Sequence, residues 1–257
     1  SGRRPARSEA HPARLRPALS AAPPALPMPL APAPSTDTVQ RCQLCAARRI
    51  CLIGQLPRGQ RERLDPMLHE RGFRKGEPLQ TEGLAPSVVR AVKLGTVMLT
   101  RCGPDGAHHP VALVGRSHLL GMWGLLDKTT LVGAQALSAG RICELPVAAL
   151  RHTLHQDAAL LDLLHHLMAN AFARLADWSQ VMRLRGLPRQ LMATLMLLAH
   201  EQGTRTVHLP SQVALAALLC TSRESVARAL RLLEDNGHLH RVDRWHGELT
   251  GTHRQVF

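Results

Sequence analysis

Leu209-Pro-Ser-Gln-Val-Ala-Leu-Ala-Ala-Leu-Leu-Cys-Thr-Ser-Arg-Glu-Ser-Val-Ala-Arg-Ala-Leu-Arg-Leu-Leu-Glu-Asp-Asn-Gly-His-Leu239 is the stretch whose reading decides the fold. Ser211 is a natural helix N-cap, and Val213, Leu215 and Leu218 are expected to supply a buried face behind it. That helix runs to about Leu219 and breaks at Cys220-Thr221, where Cys220 reads as a small buried residue. Ser222 caps a second helix, Val226, Leu230 and Leu233 pack inward from it, and Gly237 ends it. Two short helices joined by a tight turn, the second polar and basic on one face, describe a helix-turn-helix. Arg223, Glu224 and Arg228 fall in the first two turns of that second helix. Their chemistry suits base edges, because an Arg fork pairs with guanine O6 and N7 and a Glu carboxylate accepts from the cytosine amino group. His238 to Gly251 reads as a small β wing.

Working upstream, a helix is expected from Pro188 to about Gln202 and a short strand from Thr206 to Leu209. Between Pro146 and Gly186 glycine disappears, and the segment reads as one long helix. Leu161, Leu164, Met168, Ala171, Leu175, Trp178 and Met182 alternate spacings of three and four, the repeat of about 3.5 residues that marks a coiled-coil seam. A helix of roughly 25 to 30 residues in one stretch favours a partner helix, hence a homodimer, over packing on its own domain alone. From Phe73 to Pro146 short apolar runs are broken by glycine. Val88–Leu94 and Thr96–Thr100 are strand-like, and Cys102-Gly-Pro-Asp-Gly106 is a hairpin turn. A small antiparallel barrel fits that rhythm, with a helix before it near Pro57 to Arg71.

The chain has 257 residues, enough to bury a core without disulfide staples. No run approaches the ~18 uncharged apolar residues of a membrane helix, so a soluble chain is expected. With three Phe, three Trp and no Tyr, aromatics are too few for binding single strands by base stacking. The net charge of +13 invites a nucleic-acid reading, but its placement matters more than its total. Residues 1–63 carry a surplus of +8, 64–185 of +3 and 186–257 of only +2, so the surplus is mostly N-terminal. The Pro-, Ala- and Arg-rich run over residues 1–38 cannot build a helix or a ladder and is expected to be a disordered tail rather than a transit peptide. It has no continuous apolar h-region, and a cytoplasmic location is expected.

Of six cysteines, Cys42, Cys45 and Cys51 fall within ten residues, which outside an oxidising compartment reads as metal or redox chemistry. Zinc modules usually pair two two-residue spacings, and no second such pair exists here. Three thiolates on a short loop closed by one distant cysteine suit a [4Fe-4S] cluster better. Cys102 sits beside the hairpin turn and Cys220 in the helix-turn-helix. Cys143 ends the barrel just before the long helix, where it reads equally as a buried strand residue or as a fourth ligand. The fifteen histidines, several in pairs such as His108-His109 and His165-His166, read mostly as solvated positions.

Ser222-Arg-Glu-Ser-Val-Ala-Arg228 resembles the recognition-helix start of the Crp/Fnr family of bacterial transcription regulators. The resemblance extends in order over about residues 40 to 250, through cysteine cluster, barrel, long helix and winged helix-turn-helix. It implies an α+β chain: a sensor domain over 39–150 (cysteine loop plus a β-roll, a cyclic-nucleotide-binding-like barrel), a dimerisation helix over 151–185 and a winged helix-turn-helix over 186–257. The Cys42, Cys45 and Cys51 spacings, and Cys143-Glu-Leu-Pro146, resemble the Fnr branch, whose four corresponding cysteines hold an oxygen-labile [4Fe-4S] cluster. Cluster ligation by Cys42, Cys45, Cys51 and Cys143 is thus implied, as are DNA contacts from Ser222, Arg223, Glu224 and Arg228. The implied function is an oxygen-responsive regulator, not an enzyme, acting as a homodimer on palindromic double-stranded DNA with RNA polymerase as partner and no membrane partner. Leu120-Gly-Met-Trp-Gly-Leu-Leu126 lacks the acidic residue of a nucleotide-binding phosphate cassette, and Thr130-Leu-Val-Gly-Ala134 offers no Arg for a phosphodiester, so no cyclic nucleotide is expected.

Two departures qualify the resemblance. Ala227 replaces the serine of the oxygen-sensing branch and Arg223 is closer to the cyclic-AMP branch, so the half-site is TTGAT-like or TGTGA-like. Leu175 stands where some relatives place an acidic residue, which should strengthen pairing. The nearest rival is a regulator of the same family using its cysteines for zinc or for thiol-disulfide sensing. A thiol redox enzyme would need an electron partner and a substrate cleft, and no motif for either is legible.

Overall fold

Alternation of buried and exposed side chains along Val88–Leu94 and Gly140–Pro146 makes these two strands two-faced, and the N-terminal half is organised around them. The computed structural model describes Cys42, Cys45 and residues 47–250; the tail expected over 1–38 lies outside the described residues. The strands are β1 (His69–Phe73), β2 (Pro78–Gln80), β3 (Val88–Leu94), β4 (Val97–Cys102), β5 (His108–Val114), β6 (Leu119–Leu120), β7 (Gly133–Ala136) and β8 (Gly140–Pro146). They form two antiparallel sheets with strand orders β1-β8-β3-β6 and β2-β7-β4-β5. The expected hairpin joins β4 to β5, with Gly103 N donating to Ala107 O at 2.8 Å.

Val92, Leu120 and Ile142 of the first sheet pack inward on Val97, Leu99 and Leu113 of the second. The opposite face of the first sheet presents Val89, Ala91, Cys143 and Leu145 to a separate core. Helices α1 (Leu52–Gln55) and α2 (Arg58–Leu64) cover that outer face through Leu52, Ile53, Leu56 and Leu64. The helix expected to reach Arg71 ends at Leu64: a 3-10 turn over Asp65–Met67 follows, and β1 starts at His69. Pro66 is the reason, since it lacks the N–H that would continue the helix, although Asp65 before it stays in the α region (φ −52°, ψ −43°).

The segment after Pro146 is not one helix. It divides into α3 (Val147–Gln156) and α4 (Ala158–Val181), separated by Asp157 in an extended conformation (φ −141°, ψ 107°). Asp157 Oδ1 accepts from Leu160 N at 3.0 Å, so its short carboxylate caps α4 instead of continuing α3. Gly186, at φ 88°, then turns the chain into α5 (Leu187–Gln202). The C-terminal unit adds β9 (Thr206–His208), α6 (Gln212–Leu218), α7 (Arg223–Asp235), β10 (Leu239–Arg241) and β11 (His246–Leu249), the strands forming a wing sheet in the order β10-β11-β9. Leu191, Leu195, Leu215, Val226 and Leu230 share one continuous core with the barrel interior and with Trp178 of α4.

Three expectations about burial change. Val213 is 64% exposed, because residues two apart point to opposite sides of a helix and Leu215 (1% exposed) takes the inward side. Cys220 is exposed, not buried; it holds φ +50°, the left-handed backbone of the tight turn between α6 and α7, which leaves its side chain outside. Among the histidines His118 is an exception to solvation: it is buried, and burial pulls its imidazole down to about 3, keeping it neutral. Among the described residues no helix is long and apolar enough to cross a membrane.

The split at Asp157 generates a test. Asp157→Ala removes the side-chain cap of α4 and is expected to lower unfolding stability by about 1 kcal/mol, read as a lower urea midpoint at unchanged slope. An unchanged midpoint would mean that the cap does not set the start of the helix.

Candidate functional site

The four cysteines singled out from the sequence line one small cavity on the outer face of the first sheet, together with Lys93 and Gly54. Cys143 reaches it from β8, between Ala91 of β3 on one side and Glu70 of β1 on the other. Cys51 is positioned as the N-cap residue of α1, where Gln55 N donates to Cys51 O at 3.1 Å. Cys45 N donates to Cys42 O at 3.3 Å, Arg48 N to Cys45 O at 3.0 Å and Cys51 N to Ala47 O at 2.9 Å, a run of tight turns that folds the loop back over the sheet. Gly54 permits this closeness, since a Cβ there would fall 2.3 Å from Arg48 O. Cys102 and Cys220 are exposed and do not line this cavity.

The electrostatics follow from burial. Desolvation, then the neighbouring Cys51, push the Cys42 thiol up to about 11; desolvation, then Cys51 and Glu70, push Cys143 up to about 12. Burial likewise raises Cys51. These thiols are therefore protonated near neutrality, and their mutual repulsion makes joint ionisation costly unless a cation supplies compensating charge. Lys93 is one such charge, and its signal in the sequence was strand alternation alone: it lies two residues from Ala91 on the same face of β3. Burial acts to lower Lys93, but Glu70, which accepts from its Nζ at 2.8 Å, outweighs that and holds the ammonium above its ordinary value. Four soft sulfur donors against an apolar wall of Ala47, Ile53 and Ala91 match the donor set of an iron-sulfur cluster in kind and number. Among the described residues no three His, Cys, Asp or Glu side chains stand close enough together to hold a single metal ion.

The second constellation lies on α7. Ser222 Oγ accepts from Ser225 N at 3.1 Å, the cap expected from the sequence, and Ser222 Oγ donates to Ser225 Oγ at 3.0 Å. Arg228 Nη2 donates to the same Ser225 Oγ at 2.9 Å, so the hydroxyl pair restrains the guanidinium along the exposed face. Arg223 and Glu224 are exposed on the first turn. The wing carries a cluster that sequence reading missed: Arg244 lies 4.9 Å and Lys75 5.5 Å from the Trp245 ring centroid, and Asp243 Oδ1 accepts from Trp245 N at 2.6 Å. Only the folded wing brings Lys75, from the β1–β2 turn, against a ring 170 residues further on.

On α4 the expected seam divides. Leu164 and Trp178 are buried within the chain, whereas Leu161, Met168, Leu175 and Met182 are exposed at strict seven-residue spacing. Phe172, 75% exposed, lies beside them. The barrel loop that the sequence compared with a phosphate cassette forms a 3-10 turn over Met122–Leu126 after Gly121 (φ 80°), whose N donates to Gln80 Oε1 at 2.7 Å. Thr130 Oγ1 donates to Thr81 O at 2.6 Å, tying that loop to the end of β2.

No protein-family model matches the chain, and no curated protein matches it. Solved structures do. FixK2 from Bradyrhizobium japonicum superposes with a TM-score of 0.64 at 18% identity, covering 73% of this chain and 94% of FixK2. The c-di-GMP-responsive global regulator CLP of Xanthomonas campestris gives 0.58 at 21% identity, covering 76% of this chain and 100% of CLP. A CRP/FNR-family transcriptional regulator from Thermus thermophilus gives 0.54 at 19% identity, covering 71% of this chain and 94% of that one. At these identities the likeness is one of architecture: the chain has the Crp/Fnr-like fold, with its antiparallel sheets, long helix and C-terminal winged helix-turn-helix.

Proposed function

We propose that the chain is a DNA-binding transcription regulator that works as a homodimer and responds to oxygen through a [4Fe-4S] cluster held by Cys42, Cys45, Cys51 and Cys143. The observation that carries this reading is that four sulfurs from a loop and a distant strand line one cavity. When bound, the cluster supplies an oxygen-labile redox centre whose positive iron compensates thiolate charge. The chain's own residues do the rest. Leu52, Ile53, Leu56 and Leu64 of the two short helices share a core with Leu150, Leu154, Leu160 and Leu164 of α3 and α4. Order in the cysteine loop is therefore coupled by packing to the start of α4. The adjacent residues Leu161 and Met168 face outward for a second copy.

Pairing through the α4 seam sets two α7 helices at a fixed separation, which suits a palindromic site read in successive major grooves. Arg223, Glu224 and Arg228 offer base-edge chemistry, and Ser222 caps their helix where it enters the groove. RNA polymerase is the proposed protein partner. No cyclic nucleotide is required in this reading, since no arginine stands in Thr130–Ala134 and the cassette loop is satisfied internally. A zinc or disulfide switch is the competing use of the same cysteines.

Anaerobically purified protein is expected to contain about four iron and four sulfide per chain, with broad visible absorption, and Cys143→Ala is expected to lose both. Zinc in place of iron, or absorption unchanged in that variant, would defeat the four-cysteine assignment. Glu224→Ala and Arg228→Ala should each weaken binding to a palindromic site by about tenfold or more in gel shifts, with non-specific binding little changed for Glu224→Ala. Equal loss on random DNA would count against base reading by Glu224. Leu175→Asp, placing a charge in the exposed seam, should weaken dimerisation by about tenfold or more in analytical ultracentrifugation. An unaltered dimer would show that pairing uses another surface.

A further inference from the structure

We propose that a second cavity, walled by the cysteine loop, α4 and the C-terminal end of α5, binds a small phosphate-bearing anion. Its volume is about 730 Å³, within the range of small-molecule sites. Arg49 enters from the loop, Arg116 from the turn between β5 and β6, and Arg174 and His166 from α4, with His200 at the end of α5. Asp177 and Glu201 are the acidic side chains of the lining, so three guanidiniums face two carboxylates.

The two inner arginines are held in place without being satisfied. Glu201 is buried and uses Oε2 to accept from Gly115 N at 2.8 Å, while its backbone oxygen accepts from Arg116 N at 2.9 Å. Its Oε1 stands 3.4 Å from Arg174 Nε, an ion pair without a hydrogen bond. The Nε atoms of both Arg116 and Arg174 are buried and have no hydrogen-bond partner among the described residues. Gly203, at φ 66°, leaves room for the Arg116 guanidinium, because a Cβ there would lie 2.3 Å from Arg116 Nη2. Each guanidinium carries further N–H donors beyond the occluded Nε, and those that line the cavity can bond a ligand presenting several acceptors. Guanidinium forks converging from different walls favour a tetrahedral polyanion over a lone planar carboxylate. Neither Phe nor Trp lines the cavity, so recognition falls to charge and not to stacking. Leu163 and Leu167 form an apolar wall for whatever body the phosphate carries.

The side chains proposed to pair point away from much of this cavity. Leu163, Asn170 and Asp177 each follow a seam residue by two positions, which turns them to the far side of α4 from Leu161, Met168 and Leu175. The cavity shares no lining residue with the four-cysteine pocket, but Arg49 belongs to the same loop, so all titrations use one anaerobic preparation of measured iron content.

The test is isothermal titration of the full chain with inorganic pyrophosphate, with acetate as the carboxylate control at matched ionic strength. Saturable binding of pyrophosphate is expected, with the thermal midpoint rising as ligand is added. The solvent-exposed Arg49→Gln variant, which leaves the buried ion pair intact, should weaken binding by about tenfold, and Arg116→Gln with Arg174→Gln should abolish it. Arg101→Gln, outside the cavity, should bind as the parent does. Circular dichroism of each variant separates loss of binding from loss of fold. No saturable heat up to about 10 mM pyrophosphate, equal binding of acetate, or binding undiminished in folded Arg49→Gln would overturn the proposal.

Discussion

Strand β8 belongs to two cores at once. Ile142 faces the barrel interior, while Cys143 and Leu145 face outward to the short helices, and this alternation is the constraint on which the rest of the site depends. A one-residue slip of β8 against β3 would exchange the two sets, turning Arg141 toward the barrel side, Glu144 toward the outer core and the Cys143 sulfur away from the loop. Ion pairs on both faces reinforce the register: on the side of Ile142, Glu144 holds Arg90 at 2.7 Å and Arg71 at 3.1 Å, and on the side of Cys143, Glu70 holds Lys93 at 2.8 Å and Arg141 at 2.7 Å. Each pair is partly solvated and individually modest, but their loss together would loosen the pairing of β8, which carries Cys143, with β1 and β3.

The outer core makes the cysteine loop a mechanical neighbour of the long helix. The apolar side chains of α1 and α2 on the Cys143 side share one core with Leu160 and Leu164, which flank Leu161 of the exposed seam. Loop order and helix position are then two views of one packing arrangement, and no separate relay is needed. The same helix continues through Trp178 into the core shared with α5 and the helix-turn-helix. A shift of α4 is thus felt in both cores, which is the coupling that the proposed function requires.

Much of this was legible in the residues. The caps Ser211 and Ser222, the break between the two short helices, the hairpin at residues 103–106 and the strand at Val88–Leu94 rest on local chemistry, and local chemistry is written in sequence. The spacing of Cys42, Cys45 and Cys51 was equally local. What misled was periodicity read without a partner surface. The three-four pattern on α4 mixes Leu164 and Trp178, which face the chain's own core, with Leu161, Met168, Leu175 and Met182, which do not. Val213 satisfied a hydrophobic pattern yet points to solvent.

By itself the sequence determined the order of elements, their caps and breaks, and the supply of thiols and guanidiniums, because these depend on neighbours a few residues apart. Only the tertiary structure decided which cysteine joins the loop, which leucines of α4 remain exposed, and that Arg116, Arg174 and Glu201 meet around one cavity. Those outcomes depend on strand register and helix rotation, which are set by the packing of surfaces contributed by distant parts of the chain.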